Sequence, residues 1–376
     1  MRKKDAKEEE KGANRLKMGK KILVVDDSAL MRKVACDIIK TDGRYDEPDR
    51  CHDGEEAWTF VTKNKYDAIV LDVNMPKLDG LSFLRRLKNE NRNEHVMMFS
   101  TTTGEGTKQT IEALELGAME FIKKPDNLAA FSTDDFAKQF LDLLAVVSGA
   151  GSALAPSKAA DTSAASRPGA GSKIVLRPSV RVNGEKLVAI ASSTGGPKAL
   201  HTLIPMLPAK LNAPVVIVQH MPMGFTKSLS ERLNELSSLS VKEAEEGDML
   251  EKGHVYIAPG DKHLKVAKSG SRTRIYFSNE PKREGVRPCA NYMYETIADT
   301  AYSEVCCVVL TGMGSDGTVG IKELIRSKSL HIIAQDEATC AVYGMPRAIA
   351  NSGLVNEVLP LEKIAGAITK EVGTLS

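Results

Sequence analysis

KLVAIASSTGGPKAL, residues 186 to 200, decides how this chain folds. The apolar run Leu187 to Ala191 reads as a buried strand, the serines and glycines that follow as a tight turn, and the segment from Pro197 as a helix start. A strand feeding a helix through a sharp turn is the unit of parallel α/β sheets, which keep their chemistry at the carboxyl ends of the strands. A serine on such a bend has its hydroxyl exposed, as in a nucleophile elbow. The competing reading is that Gly195 and Gly196 only let the chain turn while Ser192 caps the helix.

Toward the C-terminus, APVVIVQHMP (213–222) reads as a strand ending at His220, and EVCCVVLTGMGSDGTVG (304–320) as a buried strand that delivers Asp316 on a glycine-rich loop. HVYIAPGDKHL (254–264) and RIYFS (274–278) suggest strands joined by a turn at Gly260, and HIIAQD (331–336) and GLVNEVLP (353–360) complete a doubly wound, mainly parallel α/β domain. Ser193, His220 and Asp316 then end or follow three separate strands. A serine hydroxyl is a weak nucleophile until a base takes its proton; imidazole does so near pH 7, and a carboxylate orients the ring and stabilises its charged form. His263 follows a turn and is the only serious competitor to His220, and Asp316 could be a turn residue. A nucleotide-binding reading of the Gly-rich turn is weak, because GxGxxG and an acidic residue about 20 positions on are both missing.

Toward the N-terminus, KILVVDDSALMRKVACDIIKTDG (21–43) reads as a strand ending in Asp26 and Asp27 and then a helix closed near Gly43. A helix over 54–63, a strand ending in Asp72, two more strands in HVMMFSTTT and MEFIKKP, and helices over about 106–116 and 133–147 follow. Tyr45 to His52 is poor strand material, which suits the edge position of a second strand in a flavodoxin-like order 2-1-3-4-5. In that order Asp26, Asp27 and Asp72 converge at neighbouring strand ends. Their mutual repulsion calls for a hard cation such as Mg²⁺. Asp72 can then accept a phosphoryl group, with Lys124 offsetting charge on its oxygens.

Asp26-Asp27, Asp72 with MPKLDG after it, Ser100 ending a strand, and Phe121 with Lys124-Pro125 resemble the receiver domain of two-component response regulators. That resemblance implies phosphorylation of Asp72 by a histidine kinase, Asn74 as a metal ligand through its backbone carbonyl, and Ser100 and Phe121 as a switch pair. SSTGGPKAL, QHMP, YIAPGDKHL, LTGMGSDG, AQDEAT and YGMPRA resemble, in order, the chemotaxis response regulator protein-glutamate methylesterases. It implies Ser193 as nucleophile, His220 as base and Asp316 as orienter, acting on methylated chemoreceptor helices with release of methanol, often with glutamine deamidation, under control of Asp72 phosphorylation. A phosphorylation-switched binding protein with an idle esterase site is the alternative. Two departures stand out: Ala191 and Ser192 replace the family's Gly-Ala, which restricts the bend, and Arg287-Pro288-Cys289-Ala290-Asn291 replaces a segment that usually has Ser and Asp.

The expected organisation is a disordered charged tail over 1–20, a receiver over 21–147, a flexible linker over 148–185 rich in Ala, Ser, Gly and Pro, and a catalytic domain over 186–376. The 376 residues carry a net charge of +2, while residues 1–20 hold eight Lys or Arg against four Asp or Glu. Removing that excess leaves the rest slightly acidic, so no basic face points to nucleic acid. The six cysteines show no metal spacing, and Cys306 and Cys307 read as small core residues. No membrane span or signal peptide is evident, and the chain reads as cytoplasmic.

Overall fold

The computed structural model describes residues 19–101, 104–125, 133–150, 176–177 and 184–375. Most of the expected tail and linker lies outside the described residues. Two compact units are present. From residue 22 to 147, strands and helices alternate: β1 (Ile22–Val25), α1 (Ala29–Lys40), β2 (Asp49–Cys51), α2 (Gly54–Lys63), β3 (Ala68–Asp72), α3 (Gly80–Asn89), β4 (Val96–Ser100), α4 (Gly104–Leu116), β5 (Glu120–Lys123) and α5 (Asp134–Val147). The five strands are parallel in the order β2-β1-β3-β4-β5. Every residue of β1, β3 and β4 is buried, as a parallel sheet covered on both faces requires. β2 is a three-residue edge strand directly after Pro48, where proline removes no needed donor. Ser28, and not Asp27, caps α1 by accepting from the Met31 N–H, which leaves the Asp27 carboxylate for other work.

The second sheet is built from β6 (Lys186–Ser192), α6 (Gly196–Leu203), β7 (Val215–Gln219), α7 (Phe225–Leu236), β8 (Ser240–Glu243) and β9 (His254–Ile257). After β10 (His263–Ser269) and β11 (Arg272–Ser278) it continues with α8 (Ala290–Ile297), β12 (Glu304–Val309), α9 (Thr318–Leu324), β13 (Ser329–Gln335), α10 (Met345–Ala350), β14 (Glu357–Leu359) and α11 (Leu361–Val372). Seven strands run in the order β14-β13-β12-β6-β7-β9-β8, and every pair is parallel. Cys306 and Cys307 lie buried in β12 as core residues.

The expected turn at Gly260 joining two strands is corrected. β9 belongs to the large sheet, whereas β10 pairs antiparallel with β11 as a separate hairpin from His263↔Ser278 to Ser269↔Arg272, turning at Gly270 with φ 61. Lysines at 262, 265 and 268 mask the first strand of that hairpin, but Leu264, Val266 and Ile275 turn inward to the core. Among the described residues no helix is long and apolar enough to cross a membrane.

Candidate active site and acidic phosphorylation site

Strand order places β6 between β12 and β7. Ala191 pairs with Val309 and Ser192 with Gln219, so Ser193 and His220 leave adjacent strands at the same level. The Ser193 N–H donates to Thr311 O at 3.0 Å and the His220 N–H to Ser192 O at 3.1 Å. The chain then reverses, with the Gly196 N–H donating to Ser193 O at 2.7 Å. Gly195 sits at φ 75, and a Cβ on Gly196 would fall 1.9 Å from Gln219 Oε1; both glycines are therefore demanded by the turn. Ala191 and Ser192 remain inside the extended strand. The expectation that they restrict the bend is corrected, because the bend begins one residue later.

Nor does Ser192 cap the helix, whose N-cap Gly195 offers no side chain. Its hydroxyl is buried and donates to Gln219 Oε1 at 2.6 Å. The Gln219 amide in turn donates to Ser193 O at 3.0 Å and His220 O at 3.1 Å, which ties the two site residues together through their backbones. Sequence reasoning missed Gln219; its only signal was a polar residue closing an otherwise apolar strand.

His220 and Asp316 meet: Nε2 lies 2.8 Å from Asp316 Oδ2. Among the described hydrogen bonds none joins Ser193 Oγ to the ring, a looseness common in unliganded sites. Oδ2 also accepts the Ala290 N–H at 2.6 Å. Oδ1 accepts from Cys289 Sγ at 3.0 Å, the Asn291 N–H at 3.0 Å and the Gly317 N–H at 2.8 Å. Burial works to raise the Asp316 carboxyl, but the bond and charge of His220, with Cys289 and Ala290, outweigh it and hold the group at about 2. An ionised carboxylate only accepts, so Nε2 carries the ring proton. The same burial, reinforced by Asp316, pushes the Cys289 thiol well up, so Cys289 is a neutral donor here. The departures at 289–291 thus face Asp316. His263 is fully buried, with Nε2 beside the carbonyls of Glu280 and Pro281, and has a structural place.

At the other sheet, one oxygen each of Asp26, Asp27 and Asp72 lie within 4.8 Å of one another. Asp26 and Asp72 are buried. Lys124 Nζ pairs with Asp26 Oδ2 at 2.7 Å and Asp72 Oδ2 at 2.9 Å. Burial, opposed by Lys124 and reinforced by Asp26, pushes Asp72 up to about 6, and burial raises Asp26 as well. One lysine against three carboxylates leaves a deficit of positive charge, which an oxygen-seeking divalent cation fits. Asn74 is exposed just beyond β3. Ser100 ends β4 and Phe121 lies in β5, both buried, and the Lys124 N–H donates to Ser100 O at 2.6 Å.

A carboxyl whose folded value lies above its unfolded value of about 3.9 stabilises the fold below that value and loses this contribution as pH rises. For Asp72 the loss falls between about pH 4 and about 6. Trp58, the sole tryptophan, lies in α2 edge-on to Phe83 and reports unfolding here. Without divalent cations its urea transition should weaken from pH 5 to pH 7, by about 1 kcal/mol. Mg²⁺ should restore stability at pH 7, and Asp72→Asn should flatten the pH dependence. A wild-type transition indifferent to pH, or an unchanged slope in Asp72→Asn, would refute this.

Comparison with known proteins finds matches to both halves of the chain. Residues 188–368 match the CheB methylesterase family and residues 22–133 the response regulator receiver domain. The protein-glutamate methylesterase/protein-glutamine glutaminase 1 of Syntrophomonas wolfei is 41% identical over 350 residues, spanning 92% of this chain and 97% of that one. The Bacillus subtilis protein-glutamate methylesterase/protein-glutamine glutaminase is 38% identical over 353 residues, 93% and 97% of the two chains. The crystal structure of the Thermotoga maritima CheB methylesterase catalytic domain is 42% identical and covers 50% of this chain and 99% of its own, with a TM-score of 0.48. With both domain models matched in order and relatives near 40% identical along nine-tenths of both chains, the chain belongs to the family of protein-glutamate methylesterase/protein-glutamine glutaminases that join a receiver to a CheB methylesterase domain.

Proposed function

We propose that this protein is a phosphorylation-activated serine esterase that hydrolyses γ-glutamyl methyl esters on chemoreceptor cytoplasmic helices, with residues 21–147 as receiver, 148–185 as linker and 186–376 as catalytic domain. The observation that carries the reading is the 2.8 Å bond from His220 Nε2 to Asp316, formed beside the strand end that presents Ser193. Because Nε2 is held by Asp316, Nδ1 is the atom that exchanges a proton with Ser193. Ser193 Oγ attacks the ester carbonyl as its proton passes to His220, and Asp316 stabilises the imidazolium. That proton then leaves with methoxide as methanol. Water, deprotonated by His220, cleaves the acyl-enzyme, frees the glutamate carboxylate and restores Ser193. The same steps on a glutamine side chain release ammonia, which accounts for the second half of the relatives' name. The esterase steps call for no cofactor.

On the receiver, a chemotaxis histidine kinase supplies the phosphoryl group to Asp72. Asp26, Asp27, Asp72 and the Asn74 carbonyl would hold Mg²⁺, which supplies positive charge against the phosphoryl oxygens. Lys124 offsets the same charge, and Ser100 and Phe121 respond as the switch pair. A small phosphodonor with Mg²⁺ should raise methanol release from a methylated receptor several-fold or more, whereas Asp72→Asn should stay low and unresponsive. Equal activation of both proteins would remove Asp72 as the switch. Phosphorylation without any methanol release would favour a phosphorylation-switched binding protein instead.

A further inference from the structure

Two short helices meet at Asp316, and neither supplies a side-chain cap to itself: Cys289 precedes α8 and Gly317 precedes α9. The caps are exchanged. Asp316, from the loop before α9, accepts the Ala290 and Asn291 N–H groups of α8 at 2.6 and 3.0 Å. Asn291, from α8, accepts through Oδ1 the Gly317 and Gly320 N–H groups at 3.1 and 2.7 Å. Asn291 is fully buried. Its amide is oriented from the far side, where Nδ2 donates to Glu284 Oε1 at 2.7 Å, while Glu284 Oε2 accepts the Ser315 hydroxyl at 2.9 Å. Glu284 adopts the left-handed region at φ 54, a sparsely populated conformation for a residue with a Cβ that persists where its surroundings hold it. Ser315, Asp316 and Gly317 are consecutive, so Glu284 and Asn291 grip the loop immediately on either side of the carboxylate that faces His220.

We propose that Asn291 is a positioning residue of the esterase: held by Glu284 and bonded to the Gly317 and Gly320 N–H groups, it keeps Asp316 aimed at His220. The proposal rests on the esterase reading above. A plain helix cap needs only an acceptor, and aspartate would serve. The bond to Glu284 needs an N–H donor, and aspartate there would set two carboxylates against each other.

The test uses the full chain and two variants. Asn291→Asp should lower kcat, by up to about 100-fold if Asp316 is displaced by an ångström, with KM changed little. Asn291→Asp combined with Glu284→Gln reverses donor and acceptor in that bond and should restore most of the loss. In ¹⁵N-labelled protein the His220 Nε2 proton, which reports its bond to Asp316, should shift in the single variant and return in the double. An unmoved proton with unchanged kcat in Asn291→Asp overturns the proposal, and so does a loss that the double variant fails to recover. Should the wild-type chain release no methanol, the esterase reading fails by itself, and the His220 proton still decides whether Asn291 positions Asp316.

Discussion

Ser193→Ala is expected to abolish acyl-enzyme formation and lower methanol release by about 10⁴- to 10⁶-fold, the scale of losing one member of a triad that acts as a unit. The paired serines make this a sharp test. Ser192 is fully buried, and its proton is engaged by Gln219 Oε1 at 2.6 Å. Ser193 stands at the turn beside His220. A serine-directed phosphonate followed by peptide mapping should therefore label Ser193, and Ser193→Ala should still accept a phosphoryl group on Asp72. Ser192→Ala removes the donor to a buried amide oxygen and should reduce stability by about 1–3 kcal/mol, while its Ser193 still reacts. Label on Ser192, or full turnover by Ser193→Ala, would overturn the assignment and the roles of His220 and Asp316 with it.

The second large effect is expected from Asp316→Asn, about 10³- to 10⁴-fold in kcat with KM nearly unchanged. The donors around the carboxylate dictate how an amide would sit. Oδ1 accepts from Cys289, the Asn291 N–H and the Gly317 N–H, so the amide oxygen takes that place. The NH₂ group is then left where Oδ2 was, against the Ala290 N–H and His220 Nε2. It can only donate to Nε2, which drives the ring proton to Nδ1, the atom that must accept from Ser193. Steady-state kinetics with the methylated receptor would check this, and a variant within tenfold of wild type would remove Asp316 from the mechanism.

Much of this was legible in the sequence because the signals were local. The apolar runs of β1, β3, β6 and β12 are too short for helices and lack alternation, so strands buried on both faces follow from them alone. Alternation with helices then sets a parallel sheet and brings Asp26, Asp27 and Asp72 to one edge, as it does Ser193, His220 and Asp316 at the other sheet. What stayed hidden depends on partners distant in the chain. Gln219 gains its place by bridging to Ser193, 26 positions away, and Asn291 by reaching Gly320, 29 positions away. β10 escaped notice because its lysines break the pattern, and its support comes from α8, where Thr296 Oγ1 accepts the Val266 N–H at 3.1 Å. The bend was misjudged by one residue because only the register of β6 against β7 shows that Ser192 is still strand.

The exchanged caps have a consequence for how this region opens. α8 and α9 have eight and seven residues, lengths at which an isolated helix does not persist in water. Each one's first turn is completed by a side chain that belongs to the other, so fraying of either strips both. Hydrogen exchange should then find the amides of Ala290, Asn291, Gly317 and Gly320 released with one common opening free energy, as a single cooperative unit. That same free energy fixes the fraction of time in which His220 has no carboxylate beside it.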